Sequence, residues 1–378
     1  MDGVRVESVP LERLGAVEDV WRALSRRALE PNVFAEPAFV VNALRHLAPG
    51  AQCRPVLVWR GAADDRLIGA LVLETPLALP GLRVARIWRS EQAGLAALLL
   101  DQDEAAEALA ALLDWLARAR PAVAGLLAPA LAEAGPTKGA LAALARRQNL
   151  RRLDLGRAER ALLLAPAAPD GGFEDRLPKK RSKEWARLLR RLGERGAVAF
   201  HVAADAEAIE AFLSIEARGW KGARRTALGS DPGRAAFTRA MLAAMARDGA
   251  LAVHVLAVGG AAIAAAVVLR SGERAFYWKT AYDEAYAEYS PGVQVTLALS
   301  RAQMRDPSLA ATDSCAIAGH PMIDRLWPAR LALVDQAIAT RSGPAIGLAL
   351  WGASEQVRRR IKETAKRLIN PLRGRKRS

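Results

Sequence analysis

Three apolar runs follow one another in the second half of the chain: Ala252 to Val258, Ala261 to Leu269 and Ala275 to Ala281. Gly259-Gly260 and Ser271-Gly272 separate them. Such pairs supply the backbone freedom that tight hairpin turns demand. Each run is far below the roughly 18 apolar residues that cross a bilayer. The gaps are too short for helical crossovers, so the stretch predicts an antiparallel three-stranded meander. Beginning inside its third run is YWKTAYDEAYAEYSPGVQV, residues 277–295, which holds all four tyrosines of the protein. It contains Ser290-Pro291-Gly292, with a preferred N-cap residue and a proline suited to the first helical position. A helix over Pro291 to Met304 and a short strand over Ala311 to Cys315 follow, and Leu331 to Ile338 reads as another strand.

The first half has a similar order. Val17 to Leu29 and Pro37 to Leu47 read as helices. Arg54 to Arg60, Leu67 to Glu74 and Leu82 to Trp88 read as strands. A helix over Asp103 to Arg120, a strand over Val123 to Leu127 and a helix over Thr137 to Gln148 come next, then short strands at Leu153 to Leu155 and Ala161 to Leu164. The breaker-rich segment Pro166 to Gly172 (PAAPDGG) separates the halves. Beyond it, Lys179 to Arg195, Asp205 to Gly219 and Pro232 to Asp248 read as helices, with a strand over Val198 to Val202. The recurrence predicts a mixed α/β fold made of two copies of one plan. The expected units are residues 1–165, residues 173–345 and a basic C-terminal helix and tail, residues 346–378.

The net charge of +15 is concentrated. Lys179 to Arg195 carries +6 and Glu355 to Ser378 carries +8. Either segment is a solvated helix face or meets an anionic partner: a phosphate-bearing substrate, RNA or an anionic membrane surface. In the tail, Leu350, Val357, Ile361 and Leu368 form a helical stripe flanked by Arg358, Arg359, Arg360, Lys362, Lys366 and Arg367. The two cysteines, Cys53 and Cys315, give no disulfide framework or zinc cluster. The N-terminus MDGVRVESVP lacks the basic and apolar regions of a secretory signal. The expectation is a cytoplasmic chain, peripheral to the inner face of the membrane if the tail binds it.

The segments KKRSKEWARLLRRLGERG (179–196), EARGWKG (216–222), YWKTAYDEAYAEYSPG (277–292), TDSCAIAG (312–319) and LW (326–327) together resemble the GNAT superfamily of acyltransferases. More narrowly, they resemble its branch associated with cellulose and exopolysaccharide biosynthesis, which is related to the tandem-GNAT Fem-type aminoacyltransferases. The resemblance spans about residues 20–345. It implies tandem GNAT domains, with the active one in the second half. The donor is acetyl-CoA or another acyl-CoA, the acceptor an amine or hydroxyl on a sugar or phosphorylated molecule, and transfer is direct. No metal is implied. A Fem-like reading replaces the CoA ester by aminoacyl-tRNA. A further alternative is a non-catalytic scaffold that recruits a polysaccharide synthase.

In such folds the donor pyrophosphate sits at the helix after the fourth strand. Here that helix starts at Ser290, and the N–H groups of Gly292, Val293 and Gln294 are the candidate donors. The usual loop, Gln/Arg-x-x-Gly-x-Gly/Ala, is altered: Tyr289 leads it and one glycine remains. Direct transfer requires a base for the acceptor, a polarising group for the carbonyl and an acid for the leaving thiolate. Asp283, just past the strand end, is the candidate base or amine ligand, or else a turn residue. Tyr282, Tyr286 and Tyr289 are candidate acids or substrate-binding groups, or else core aromatics. Asp313, a charge within a short apolar strand, is a candidate catalytic group or one half of a buried pair. Lys279 is expected to pair with Glu216 or Asp313, or to bind substrate. Trp220 and Lys221 read as a helix end or an acceptor wall, and Lys180 and Arg181 as contacts for a phosphate-bearing partner. His320 and Gly222 read as structural.

Overall fold

Both hairpin turns form where the glycines place them. In the computed structural model Gly259 and Gly260 adopt φ of 56° and 84°, and Gly272 adopts 52°. Val258 faces Ala261 across the first turn and Ser271 faces Arg274 across the second. The structure describes residues 3–47, 53–61, 66–74, 82–119, 121–166, 173, 176–219, 222 and 224–374. Outside them lie the expected linker apart from Pro166, and both Trp220 and Lys221.

The strands of the first half are β1 (Val4–Ser8), β2 (Cys53–Arg60), β3 (Arg66–Glu74), β4 (Val84–Ile87), β5 (Leu98–Leu100), β6 (Gly125–Ala132) and β7 (Arg152–Leu164). Its helices are α1 (Glu18–Arg26), α2 (Pro37–His46), α3 (Ala105–Arg118) and α4 (Pro136–Arg147). The second half contributes α5 (Lys179–Gly193), β8 (Val198–Ala203), α6 (Ala206–Arg218), α7 (Pro232–Arg247), β9 (Leu251–Val258), β10 (Ala261–Ser271) and β11 (Arg274–Tyr282). It ends with α8 (Pro291–Arg305), β12 (Ala311–Asp313), α9 (Ile323–Leu326), β13 (Ala329–Ala339) and α10 (Ile346–Gly374).

The strands join into one sheet, ordered β1-β2-β3-β4-β6-β13-β7-β12-β11-β10-β9-β8, with β5 beside β3. Each half is an antiparallel meander followed by one parallel neighbour: β4 with β6 in the first half, β11 with β12 in the second. At the centre the halves exchange strands. β13 enters between β6 and β7, pairing Leu333 with Ala132 on one side and with Ala158 on the other. β7 in turn reaches β12, where Leu162 faces Asp313. The result is a tandem α/β architecture in which each half supplies a strand to the other. Two short strands expected at residues 153–155 and 161–164 are one continuous strand of 13 residues, because its ends serve different partners.

The core is also shared. On one face of the sheet, Phe34 and Phe39 of the first half pack edge-on against Phe276 and Phe237 of the second, with ring centroids 5.3 Å apart in each cross-half pair. The Trp278 indole N–H donates to the Gln92 carbonyl at 2.7 Å. The opposite face carries two separate cores, one under α3 and α4 and one under α5 and α8.

A fully buried ion pair lies at the junction. Arg160 on β7 donates to Asp313 on β12 at 2.5 Å, and both side chains are buried. Arg160 also reaches the Gly94 carbonyl at 3.0 Å, while Asp313 accepts the Cys315 N–H at 2.9 Å. Breaking a buried pair leaves an uncompensated charge, so Asp313→Ala is expected to lower stability by about 3–5 kcal/mol. Denaturant unfolding of the purified protein followed by tryptophan fluorescence measures this. Arg160→Met combined with Asp313→Leu is expected to lose less than Asp313→Ala alone.

Candidate active site

Two backbone irregularities open a cleft in the second half. β11 and β12 pair only from Arg274–Phe276 to Ala311–Asp313. Just beyond, Val267 of β10 faces Lys279 and Val268 faces Tyr277, so Trp278 is an extra residue in β11. A bulge of this kind bends its strand and increases the local twist. On the other side Cys315 takes a left-handed conformation, φ 51°, which turns the chain away after β12. The diverging chains enclose a cavity of about 420 Å³.

Glu216, Lys279, Tyr282, Gly292, Cys315 and His320 are among its lining residues. The wall is mostly apolar, with a few convergent polar groups, as small-molecule sites usually are. Lys279 holds its ammonium 5.5 Å from the Trp278 ring centroid. Glu216, buried on α6, accepts the Leu228 N–H at 2.7 Å and so fixes the turn at Leu228–Ser230. His320 Nδ1 accepts the N–H groups of Met322 at 3.3 Å and Ile323 at 3.4 Å. That assignment makes Nδ1 the acceptor, so the neutral ring carries its proton on Nε2. Behind the wall, Tyr277 hydrogen-bonds Thr296 at 2.8 Å, Thr296 donates to the Gly292 carbonyl at 2.7 Å, and Trp327 donates to Ser300 at 2.9 Å. Burial pushes the Tyr277 phenol above its ordinary value.

The helix start at α8 differs from its expected form. Ser290 occupies the N-cap position in the left-handed region, φ 55° and ψ 51°, and its side chain makes no capping bond. Its carbonyl takes the N–H groups of Val293 at 2.9 Å and Gln294 at 3.1 Å. Of the three candidate phosphate donors, two are thus engaged within the turn. The Gln294 side chain donates to the Trp185 carbonyl at 2.8 Å and anchors α5 to α8. At Gly292 the close approach belongs to Tyr282: a β-carbon there would lie 3.3 Å from that ring.

Tyr282 and Lys279 therefore line the cavity, together with Gly292. Asp283 is not in its lining. It caps the short 3-10 helix Glu284–Tyr289, accepting the Ala285 N–H at 3.0 Å. Tyr286 and Tyr289 lie in tilted contact with ring centroids 6.5 Å apart, and Tyr289 is buried under the Arg191 guanidinium, 5.6 Å from its ring centroid. Asp313 is held in its pair with Arg160, so the Lys279–Asp313 pairing does not form. Lys180 and Arg181 are exposed on the first turn of α5, outside the cavity lining. From sequence pattern alone His320 is structural, Glu216 is only a partner for Lys279 and Cys315 has no role. His320 follows Gly319 at a helix start and Glu216 opens the EARGWKG segment. Those were the available signals, but the bulge that brings these residues to one cavity leaves no mark in composition.

The chain carries a GNAT-type acyltransferase domain: residues 179–313, which supply the α6, β11 and α8 side of this cleft, match the family model of the Acetyltransferase (GNAT) domain. No curated protein matches the chain. Among solved structures, FemX aligns over 93% of this chain and 100% of its own, with a TM-score of 0.58 at 10% identity. The C-terminal domain (DUF2156) of a protein assigned as a lysylphosphatidylglycerol synthetase from Agrobacterium fabrum aligns over 90% of this chain and 96% of its own, with a TM-score of 0.51 at 13% identity. A conserved protein of unknown function from Bacteroides thetaiotaomicron aligns over 89% and 99%, with a TM-score of 0.51 at 11% identity. At these identities the likeness is one of fold, and it extends over both halves.

Cys315 bears on the chemistry. Burial and the Asp313 carboxylate raise its thiol well above the ordinary value, against the opposing pull of Arg160 and Lys279. The thiolate is the reactive form of cysteine, and little of it exists here. Alkylation of Cys315 by iodoacetamide in the native protein at pH 8 is expected to run roughly tenfold or more slower than that of a free thiol. Mass spectrometry of the Cys315 peptide over time measures this rate.

Proposed function

We propose that the cavity between β11 and the chain following β12 takes the acyl group and thioester of an acyl-CoA donor. An amine or hydroxyl acceptor then attacks the carbonyl directly, without a covalent enzyme intermediate. The observation that carries this reading is the convergence of an apolar cavity, the N-terminus of α8 and the side chains of Lys279, Glu216 and His320 on one cleft. The suppressed thiolate of Cys315 argues in the same direction, since it makes a poor nucleophile.

The roles follow from the chemistry of each group. Lys279 brings a positive charge into an apolar wall, where it can polarise the thioester carbonyl as negative charge develops on oxygen. With Nδ1 taken by backbone N–H groups, a neutral His320 keeps its Nε2 proton and can donate a hydrogen bond to the carbonyl oxygen or the leaving sulfur, and the departing thiolate takes its proton from solvent. Glu216 is the lining carboxylate suited to take the acceptor's proton, the role the sequence suggested for Asp283. Tyr282, lying against Gly292, forms a flat wall where the donor meets α8. Asp283 and Tyr286 lie close in sequence to the lining strand and are candidates for contact with the acceptor.

For the acceptor, the basic face of α5 favours an anionic or phosphorylated molecule, with Lys180 and Arg181 exposed on its first turn. The sequence resemblance favours a sugar acceptor in polysaccharide or envelope biosynthesis. In the first half the helix that joins the parallel pair, α3, begins at Ala105 only after the chain has run through β5, whereas α8 begins at Pro291, directly after the short turn that follows β11. This supports placing catalysis in the second half.

A second reading has its own support. With Val293 and Gln294 engaged by the Ser290 carbonyl, Gly292 alone among the three offers its N–H to a phosphate, a thin provision for a pyrophosphate. An aminoacyl-tRNA donor, as implied by the Fem resemblance, needs no such cradle. A thermal-shift panel of acyl-CoA thioesters separates the two. A donor that binds the folded state at 100 times its Kd stabilises it by about 2.7 kcal/mol. At least one thioester is expected to raise the melting temperature, and Gly292→Trp is expected to abolish the shift. Lys279→Met is expected to lower kcat by about 10²-fold while donor binding changes little. If no thioester stabilises the protein and tRNA binds with a steep salt dependence, the donor is tRNA.

A further inference from the structure

Among the described residues, α10 packs with its apolar stripe outward. Its inner stripe runs Leu348, Gly352, Glu355 and Arg359. Leu348 is fully buried, and a β-carbon on Gly352 would collide with Leu153 at 2.7 Å. Glu355 is buried and receives both Arg358 and Arg359, and Arg359 continues to Asp335 at 2.7 Å. The opposite stripe runs Ile346, Leu350, Val357 and Ile361, exposed by 65, 56, 58 and 64%. At about 100° per residue these four fall within an arc of about 60°, on the far side from Leu348 and Glu355. Single exposed aliphatic residues are ordinary, but a continuous row of four on one helix marks an interaction surface. The side chain of Leu368, expected on the same stripe, lies outside the described residues.

We propose that α10 is an in-plane anchor that lays this acyltransferase on an anionic lipid bilayer. The residues Ile346–Gly374 carry seven Lys/Arg against two Glu, a net +5. Arg358 and Arg360 are exposed on the two flanks of the apolar row. An apolar row edged by arginine suits the boundary between acyl chains and acidic headgroups. The same charge disfavours a second copy as occupant, because pairing two such helices would set arginine against arginine, where coiled coils place opposite charges. No helix among the described residues is long and apolar enough to cross a membrane, so the contact is one of lying on the surface.

A second feature adds to the field. Arg89, Arg157, Arg359 and Arg360 line a cleft of about 590 Å³ beside α10, with Asp335 as its one carboxylate. Arg89 and Arg360 make no hydrogen bond or ion pair among the described residues. Positive potential therefore extends from the flank of the helix onto the body of the first half.

The test is co-sedimentation of the full chain with vesicles. Binding to phosphatidylcholine vesicles containing a third phosphatidylglycerol is expected, and pure phosphatidylcholine vesicles are expected to leave the protein in solution. The combined variant L350S/V357S/I361S alters only exposed side chains and is expected to melt with the wild type yet bind anionic vesicles roughly tenfold or more weakly. R358Q is expected to flatten the salt dependence. Equal binding by wild type and the triple variant would overturn the proposal, as would failure of the wild type to sediment with anionic vesicles. A dimer in analytical ultracentrifugation that dissociates in the triple variant, without vesicle binding by the wild type, would assign the stripe to a second copy of the chain.

Discussion

The exchange of strands β13 and β7 is the constraint on which the rest depends. Each half of a tandem fold could close its own sheet, and here neither does. β13 completes the first half and β7 completes the second, so the junction is a continuous ladder of backbone hydrogen bonds. Such a ladder leaves no edge between the halves and fixes their relative orientation. The Arg160–Asp313 pair lies on that ladder, and its desolvation is offset in part by the Gly94 carbonyl and the Cys315 N–H that bond the two side chains. The shared aromatic core on one face adds the hydrophobic component. The two halves therefore form one mechanical unit, although their sequence patterns read as two.

Rigidity at the junction gives the cleft its shape. A cavity between parallel strands requires the strands to separate, and separation breaks hydrogen bonds that would otherwise continue. The extra residue at Trp278 ends regular pairing on one side and the left-handed Cys315 ends it on the other. Both lie within two residues of groups tied to the junction: Trp278 bonds the first half directly, and Cys315 is held by Asp313. The pocket is thus a consequence of how the halves are fastened. Asp313, which looked like a candidate catalytic group, contributes by holding Cys315 in its turn.

Much of this was legible in the sequence, and the misses have physical causes. The hairpins, the helix starts at Pro37, Pro232 and Pro291 and the basic helix at Lys179 are all local signals, carried by glycine, proline or a 3.6-residue period. Strand exchange is invisible to such signals, because Arg152–Leu164 and Ala329–Ala339 read alike whether they pair within their own half or across. The same limit explains the site. Tyr282, Lys279 and Gly292 lie in or directly after the strand that was singled out and do line the cavity. Asp283 is two residues from an amide that needs a cap, and the local bond with Ala285 wins over any longer reach. His320 and Glu216 come from other elements, so only the tertiary structure could bring them to Lys279.

The two clefts show how one plan can yield different surfaces. In both halves a parallel pair parts at a residue with positive φ, Cys315 in the second and Ala130, φ 51°, in the first. In the second half the opening is lined by apolar side chains and faces the start of α8. In the first half it is lined by four arginines, with the Ala130 N–H taken by Asp335 at 2.7 Å. An apolar slot suits an acyl chain and a reacting carbonyl, since low polarity strengthens the few charges aimed at it. An arginine-lined opening disfavours an acyl chain and favours an anion. The helix that borders this second opening is α10, so one element lines an arginine-rich opening with one face and presents an aliphatic row with the other.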